Sequence, residues 1–225
     1  MRDISQRNPQ FFWALAWVAV IPSVGSLLSI QYLLVNYDQW TVPVLDSLLS
    51  IGIFVAVTAC SMGFALIPTT LLAILSGYIW GWQAFPYLIA AYTLAAALGY
   101  LAGRSVSADM LDPLLEQYPK ARKAIDTKRQ QIGSLIFFIR ISPAIPFAFS
   151  NILFALLGTG LKRVLWFGLW GMLPRTTLAF SSGIFAENLY EAIHDASRSN
   201  TDFILIFCFL AISIVGIWHF FRQKS

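Results

Sequence analysis

Charged residues are scarce in this chain of 225 amino acids. Only 12% of its residues are charged, whereas 58% are hydrophobic, and the mean hydropathy is +0.69. Since about a quarter of an average soluble domain is charged, this composition does not supply a water-soluble surface. The apolar residues also fall in long blocks of roughly membrane-spanning length. The sequence therefore predicts an all-α integral membrane protein with no sizeable soluble domain.

The residues on which most enzymes and metal sites depend are also few. The chain has two histidines and two cysteines, and neither pair has metal-ligand spacing. No phosphate-binding loop, zinc-protease motif or nucleophile elbow occurs, and no paired carboxylates lie in the apolar blocks. The net charge is +4, but no basic stripe with interleaved aromatics accompanies it. We therefore expect no enzyme activity, no metal or other cofactor and no nucleic-acid partner.

Four apolar blocks are predicted to cross the bilayer, and two others are interrupted. The predicted crossings are residues 11–35, 86–103, 164–185 and 203–221. The interrupted blocks are residues 48–82, which contain Pro68, and residues 134–160, which contain Pro143 and Pro146. Because proline removes a backbone hydrogen bond, residues 48–82 predict a helix, a break and a shorter helix, and residues 134–160, with Arg140 and two prolines near their middle, do not predict a simple span. We expect both to be re-entrant hairpins that return to the side they entered.

The distribution of basic residues supports this topology. With both termini cytoplasmic, twelve of the 15 Lys and Arg residues fall inside and only Arg198 falls outside. The polar stretch 104–133 then lies inside, and it predicts an amphipathic surface helix beginning near Asp112. We expect a multi-pass plasma-membrane protein, and the absence of a glycosylation acceptor and the short tails favour a bacterial inner membrane.

The two interrupted blocks repeat each other. Ile67-Pro68 and Ile145-Pro146 begin similar units about 78 residues apart, each with a short helix, glycines and a span. An odd number of crossings separates them, so the hairpins are oppositely oriented and form an inverted repeat, the architecture of many transporters. We divide the chain into an N-terminal helix and connector (1–47), a membrane domain with both hairpins (48–186) and a C-terminal helix and tail (187–225).

Small residues line one face of the predicted span 86–103. They recur every four residues, at Ala91, Ala95, Gly99 and Gly103. This spacing predicts that another helix approaches the face closely.

Arg140 and Arg175 lie inside apolar segments, where an Arg costs on the order of 3 kcal/mol on insertion scales. A guanidinium binds phosphate with two parallel donors, so Arg140 is the first candidate for a lipid headgroup. The alternatives for Arg140 are snorkelling to the interface and capping of hairpin carbonyls. For Arg175, which follows Pro174, bonding to carbonyls freed by the kink is an equal alternative. The remaining candidates lie near the breaks: Pro68, Thr69, Thr70, Pro143, Pro146 and Asn151. The polar side chains among them either hydrogen-bond to a headgroup or hydrogen-bond to backbone groups that the breaks leave without partners.

The stretch from Arg140 to Asn151 begins R-I-S-P-A-I-P-F and ends with Asn five residues after its second proline. Together with Gly171-Met-Leu-Pro-Arg-Thr-Thr and Pro68-Thr-Thr, it resembles the DedA superfamily, also called the VTT-domain or SNARE-associated Golgi protein family, and within it the Tvp-like branch. The resemblance covers about residues 63–186. It implies two oppositely oriented re-entrant hairpins and movement of phospholipid or polyprenyl phosphate between leaflets. Where typical bacterial members have an acidic residue and a second arginine, this chain has Thr70 and Pro146, which puts proton coupling in doubt.

The leading functional hypothesis is a lipid flippase or scramblase whose partners are membrane lipids with anionic or phosphate-bearing headgroups. A non-transporting scaffold or assembly factor, using the face of small residues and the cytoplasmic loop, is an alternative of a different class. A small-solute or ion transporter is a third hypothesis. The sequence is also compatible with a homo-oligomer.

Overall fold

A computed structural model describes residues 9–35, 44–107, 131–142 and 145–194, and every regular element in these ranges is helical. The α-helices are α1 (Pro9–Val35), α2 (Leu48–Gly63), α3 (Thr69–Trp80), α4 (Phe85–Ser107), α5 (Ile132–Ile141), α6 (Phe147–Leu156) and α7 (Leu161–His194). A short 3-10 helix, Gly81–Ala84, joins α3 to α4. The predicted surface helix near Asp112, the last predicted crossing and Pro143 lie outside the described residues.

Large apolar side chains cover the outside of the described chain. Leu48, Leu178 and Trp13, for example, are 91%, 72% and 69% exposed. A surface of this kind is compatible with lipid rather than with water. Two stretches are long and apolar enough to cross a bilayer, namely Phe12–Leu33 in α1 and Thr69–Ser105, which runs through α3 and α4. The all-helical class is confirmed for the described residues, whereas the number of crossings stays a prediction.

Both interrupted blocks contain two helices separated by a break, and the second helix is the shorter one in residues 48–82, as predicted, whereas α5 and α6 each have 10 residues. The ends of α2 and α5 and the starts of α3 and α6 are related by the same offset of about 78 residues. Pro68 directly precedes α3 and Pro146 directly precedes α6, with φ of −61° and −58°. Their carbonyls accept the first helical hydrogen bonds, from the N–H groups of Leu72 and Ser150. Proline suits this position because its fixed φ fits the extended backbone before the helix, with ψ of 137° and 143°, and the N–H that it lacks would have no acceptor in the helix.

The helices of the two units pack in equivalent ways. Within each unit the first helix lies on the long helix, since α2 contacts α4 and α5 contacts α7. The short helices lie on the long helix of the other unit, since α3 contacts α7 and α6 contacts α4. Because each short helix packs on the other unit, the two breaks lie next to each other, and residues of both line one cavity.

Glycines permit close contact between α3 and α7. A Cβ added to Gly77 would collide with the carbonyl of Phe180, and one added to Gly183 would collide with the carbonyl of Ile74. The two backbones therefore touch at these positions. Small residues at helix contacts allow this approach in membrane proteins, where packing replaces the hydrophobic effect.

The predicted face of small residues on α4 is a helix contact within the chain. Ala91 and Ala95 are fully buried. A Cβ on Gly99 would collide with the side chain of Asn151, and one on Gly103 would lie 3.1 Å from Cα of Ile152. Because the chain's own α2 and α6 pack against α4, the scaffold hypothesis would need another surface.

The contact between α3 and α7 can be tested with a single methyl group. We expect Gly183→Ala to destabilise the protein by about 1–3 kcal/mol, because the added Cβ overpacks a backbone contact. The melting temperature of the detergent-purified protein should fall accordingly. Gly52→Ala is the matched control, since a Cβ there meets nothing within 4 Å. Equal melting temperatures for Gly183→Ala and the unchanged protein would show that α3 and α7 are not in backbone contact.

Candidate functional site

Arg140 lies in the last turn of α5 and is only 4% exposed. Its Nη1 donates hydrogen bonds to the carbonyl of Phe147 (3.2 Å) and to Oγ of Ser150 (2.8 Å). Its Nη2 donates to Oδ1 of Asn151. The guanidinium also lies 4.2 Å from the centre of the Phe147 ring and 5.3 Å from that of Phe154. Arg140 therefore connects α5 to α6 across the second break.

The charge of Arg140 is held without a carboxylate in the described part of the chain. No acidic residue occurs in residues 47–108 or 127–186. Neutral oxygens and two aromatic faces solvate the guanidinium instead, and both kinds of group attract a buried cation. One of the predicted alternatives, bonding to a hairpin carbonyl, is thus observed at Phe147. The phosphate-binding role of Arg140 stays a prediction, because in this conformation its guanidinium is directed at α6.

Asn151 is fully buried beside Arg140. Because its Oδ1 accepts from Arg140, the amide nitrogen must face the opposite side, towards Gly99. Nδ2 has no hydrogen-bond partner among the described residues. Any side chain on residue 99 would occupy the same space, so Gly99 provides the room in which Asn151 can hold Arg140.

A cavity of about 140 Å³ lies where the two breaks meet. Five of the predicted site residues line this cavity, namely Pro68, Thr69, Thr70, Pro146 and Arg175. The other walls are apolar and come from α1, the end of α2, the first break and the start of α6. Arg140 and Asn151 are instead buried in the contact of α5 and α4 with α6.

Arg175 is the charged residue in the wall of this cavity. It lies on α7, is partly buried, and directs Nη1 to the carbonyl of Ser142 (3.4 Å) and Nη2 to Oγ1 of Thr69 (3.3 Å). Both distances exceed the usual 2.7–3.2 Å of an N–H···O bond, so both partners are weakly held. Pro174 does not interrupt α7, and the partners of Arg175 come from the two breaks rather than from carbonyls of its own helix. An anionic group can therefore replace them.

The N-termini of α3 and α6 add partial positive charge to the same cavity. The first residues of both helices, Thr69, Thr70, Phe147 and Ala148, lie in its wall. Their N–H groups have no acceptor within their own helices, and a helix N-terminus carries a partial positive charge. Two such termini and one guanidinium form a site suited to an anion. Sequence reasoning missed Phe147 and Ala148, although the proline before each short helix marked where the termini lie.

An apolar groove of about 470 Å³ adjoins the cavity. It lies between α1 on one side and α4, α6 and the first break on the other. Val18, Ala65 and Ala148 line both the groove and the cavity. The two spaces are therefore neighbours that share three side chains.

The sequence of this region matches a known family. Residues 67–185 match the family model described as the VTT domain. The chain belongs to the VTT-domain family. The DedA-superfamily resemblance of the Arg140 stretch is thereby confirmed, and this VTT-domain chain is a membrane protein. The match includes α3 to α6, most of α7 and both Arg140 and Arg175, whereas α1 precedes it.

One relative of this VTT-domain chain is Transmembrane protein 41B of Mus musculus. The two are 28% identical over 158 residues, which cover 66% of this chain and 52% of the relative. The chain thus spans about half the length of the curated relative it matches. No solved structure matches the chain.

The hydrogen bonds between α5 and α6 can be tested by substitution. We expect Asn151→Ala to lower the free energy of unfolding by about 1–3 kcal/mol, because Nη2 of buried Arg140 loses its acceptor. Arg140→Gln should be more destabilising, since it breaks all three bonds and the ring contacts. Thermal unfolding in detergent measures both effects. Arg163→Gln, at an exposed position of α7, is the control. If Arg163→Gln lost as much stability as Arg140→Gln, a specific role for Arg140 would be contradicted.

Proposed function

We propose that this VTT-domain protein moves phosphate-bearing lipids between the leaflets of its membrane, as a flippase or scramblase. The observation that supports this proposal is the cavity in which Arg175 meets the N-termini of α3 and α6. The planar donors of a guanidinium match phosphate oxygens, and free N–H groups at helix N-termini bind the same oxygens. The headgroup phosphate would lie in this cavity and replace the weak bonds of Arg175 to Ser142 and Thr69.

The surroundings of the cavity favour a lipid over a small anion. The outside of the described chain is apolar, and an apolar groove shares three wall residues with the cavity. A lipid can place its phosphate on Arg175 while its hydrocarbon chains stay in apolar surroundings. The resemblance of the Arg140 stretch to the DedA superfamily implies the same class of substrate.

The proposed topology gives both leaflets access to the site. Two oppositely oriented re-entrant hairpins in an inverted repeat would place the two breaks near the midplane, within a multi-pass plasma-membrane protein whose termini are cytoplasmic. The equivalent packing of the two units and the common offset of their helix ends support this arrangement. Small relative movements of the units would then open the cavity towards either side.

Within this proposal Arg140 is a positioning residue. Its bonds to Phe147, Ser150 and Asn151 fix the first turns of α6. The free N–H groups of α6 are thereby directed into the cavity. Arg140 would act on the substrate through α6, whereas Arg175 would contact the headgroup directly.

The role of Arg175 can be tested in liposomes that contain a fluorescent phosphatidylglycerol. We expect Arg175→Gln to slow transbilayer movement about tenfold, because a charge-assisted bond to the phosphate contributes roughly 1.5–3 kcal/mol. Arg175→Lys should retain part of the rate, since it keeps the charge and loses the planar pair of donors. Arg104→Gln, at an exposed position near the end of α4, is the matched control.

Three results would contradict the proposal. Failure of the purified, folded protein to move any phospholipid would reject lipid transport. An undiminished rate in Arg175→Gln would reject the cavity as the headgroup site. Uptake of inorganic phosphate or another small solute without lipid movement would favour the small-solute transporter instead.

A further inference from the structure

We infer that the groove between α1 and the VTT domain binds one acyl chain of a glycerophospholipid whose phosphate lies at Arg175. The inference rests on the proposed function, because it assumes that the cavity holds a lipid headgroup. It goes beyond the proposed function in two ways: it names where the acyl chain of the lipid lies, and it makes α1 part of the lipid site. α1 precedes the residues that match the family.

The walls of the groove have the chemistry of a hydrocarbon site. α1 contributes Ala14, Trp17 and Val18, and α4 contributes a floor of small residues that includes Ala102. None of the residues that line the groove is charged. Because the floor lacks large side chains, space remains between α1 and α4 that a packed helix pair would otherwise fill.

The groove leads to Arg175, whose charge is not paired with a carboxylate in the described part of the chain. Its walls continue through Val18, Ala65 and Ala148 into the cavity of Arg175. No carboxylate pairs with Arg175 in the described part of the chain, and its two neutral partners are more than 3.2 Å away. An occupant with a hydrocarbon chain at one end and a single phosphate at the other therefore complements both spaces.

The size of the groove selects between the candidate lipids. A methylene group takes up about 30 Å³, close to the share of a water molecule in the liquid. The groove, with a volume of about 470 Å³, is therefore on the scale of one fatty acyl chain. The much longer chain of a polyprenyl phosphate would not be enclosed, so the groove favours a glycerophospholipid.

α1 is held in place at the first break. The indole N–H of Trp17 donates to the carbonyl of Phe64 at 2.9 Å, and Gly25 lies against the carbonyl of Leu66. Both carbonyls belong to the short segment between α2 and α3. These contacts set the distance between α1 and α4, and with it the width of the groove.

A photoreactive phosphatidylglycerol with a diazirine in its acyl chain tests the inference in proteoliposomes. We expect its adducts on residues 14–18 of α1 and 99–103 of α4. Ala102→Phe should lower labelling of these segments about fivefold, because the ring fills the groove, and Ala14→Phe should do the same from the opposite wall. Leu101→Phe is the matched control, since Leu101 is 48% exposed on the outside of α4.

The dependence on the headgroup is tested with a diacylglycerol that carries the same diazirine. Groove labelling by phosphatidylglycerol should fall about fivefold in Arg175→Gln, whereas labelling by diacylglycerol should be weak and unchanged. Equal labelling by both probes would overturn the link to Arg175. Labelling that is spread over the outer surface and insensitive to both phenylalanine variants would identify surface lipid only. Stronger groove labelling by a photoreactive polyprenyl phosphate would overturn the choice of a glycerophospholipid.

The same proteoliposomes distinguish failure of this inference from failure of the proposed function. Groove labelling without transbilayer movement would reject the proposed function and retain the lipid site. Undiminished movement in both Ala102→Phe and Ala14→Phe would reject the groove and retain lipid transport. Movement slowed together with groove labelling would support both.

Discussion

A break between two helices inside a membrane protein leaves backbone groups without helical partners, and the described part of this chain has two such breaks. The hydrogen bonds of Arg140 solve the problem at the second break. The side chain reaches from the end of α5 to the carbonyl of Phe147 and to two polar side chains of α6. The buried charge is in turn stabilised by those groups, so the break and the cation depend on each other. The direction of α6, and hence one end of the cavity, follows from this contact.

The first break meets the same constraint with backbone groups. The carbonyl of Ser61 accepts from the N–H groups of Leu66 and Ile67, at 2.8 and 3.4 Å, and Ala65, which directly precedes them, adopts a positive φ of 58°. The residue equivalent to Arg140 in this unit is Met62, which is buried. The two units therefore share their helix ends and their packing but differ in charge. At the first break the carbonyl of Phe64 accepts from Trp17 and that of Leu66 lies against Gly25, so α1 packs on this break.

The sequence predicted the breaks well because proline acts locally. Pro68 and Pro146 determine where α3 and α6 begin through a fixed φ and a missing N–H, and no distant residue changes either property. The small-residue face of α4 was also predictable as a helix contact, although its partners within the chain were not. The two arginines were ranked without knowledge of their neighbours. Only the packing of α6 shows that Arg140 faces three acceptors, while Arg175 faces a cavity to which two distant breaks contribute.

The groove could not have been predicted from sequence, because it is a space between elements rather than a pattern within one. Trp17 shows the same limitation. A tryptophan in an apolar helix is typical of many membrane segments, and its hydrogen bond to Phe64, 47 residues away, depends on how α1 rests on the first break. Local chemistry thus determines where the helices begin and end. The site forms where α3 and α6, each packed on the long helix of the other unit, come together.

The walls of the cavity contain neither Asp, Glu nor His among the described residues. These walls therefore contain no carboxylate or imidazole that could take up and release protons during transport. Of the two forms of the proposed function, a scramblase needs no such group, because lipid then passes in both directions at rates set by its concentration in each leaflet. Such a protein would remove a difference between the leaflets rather than create one.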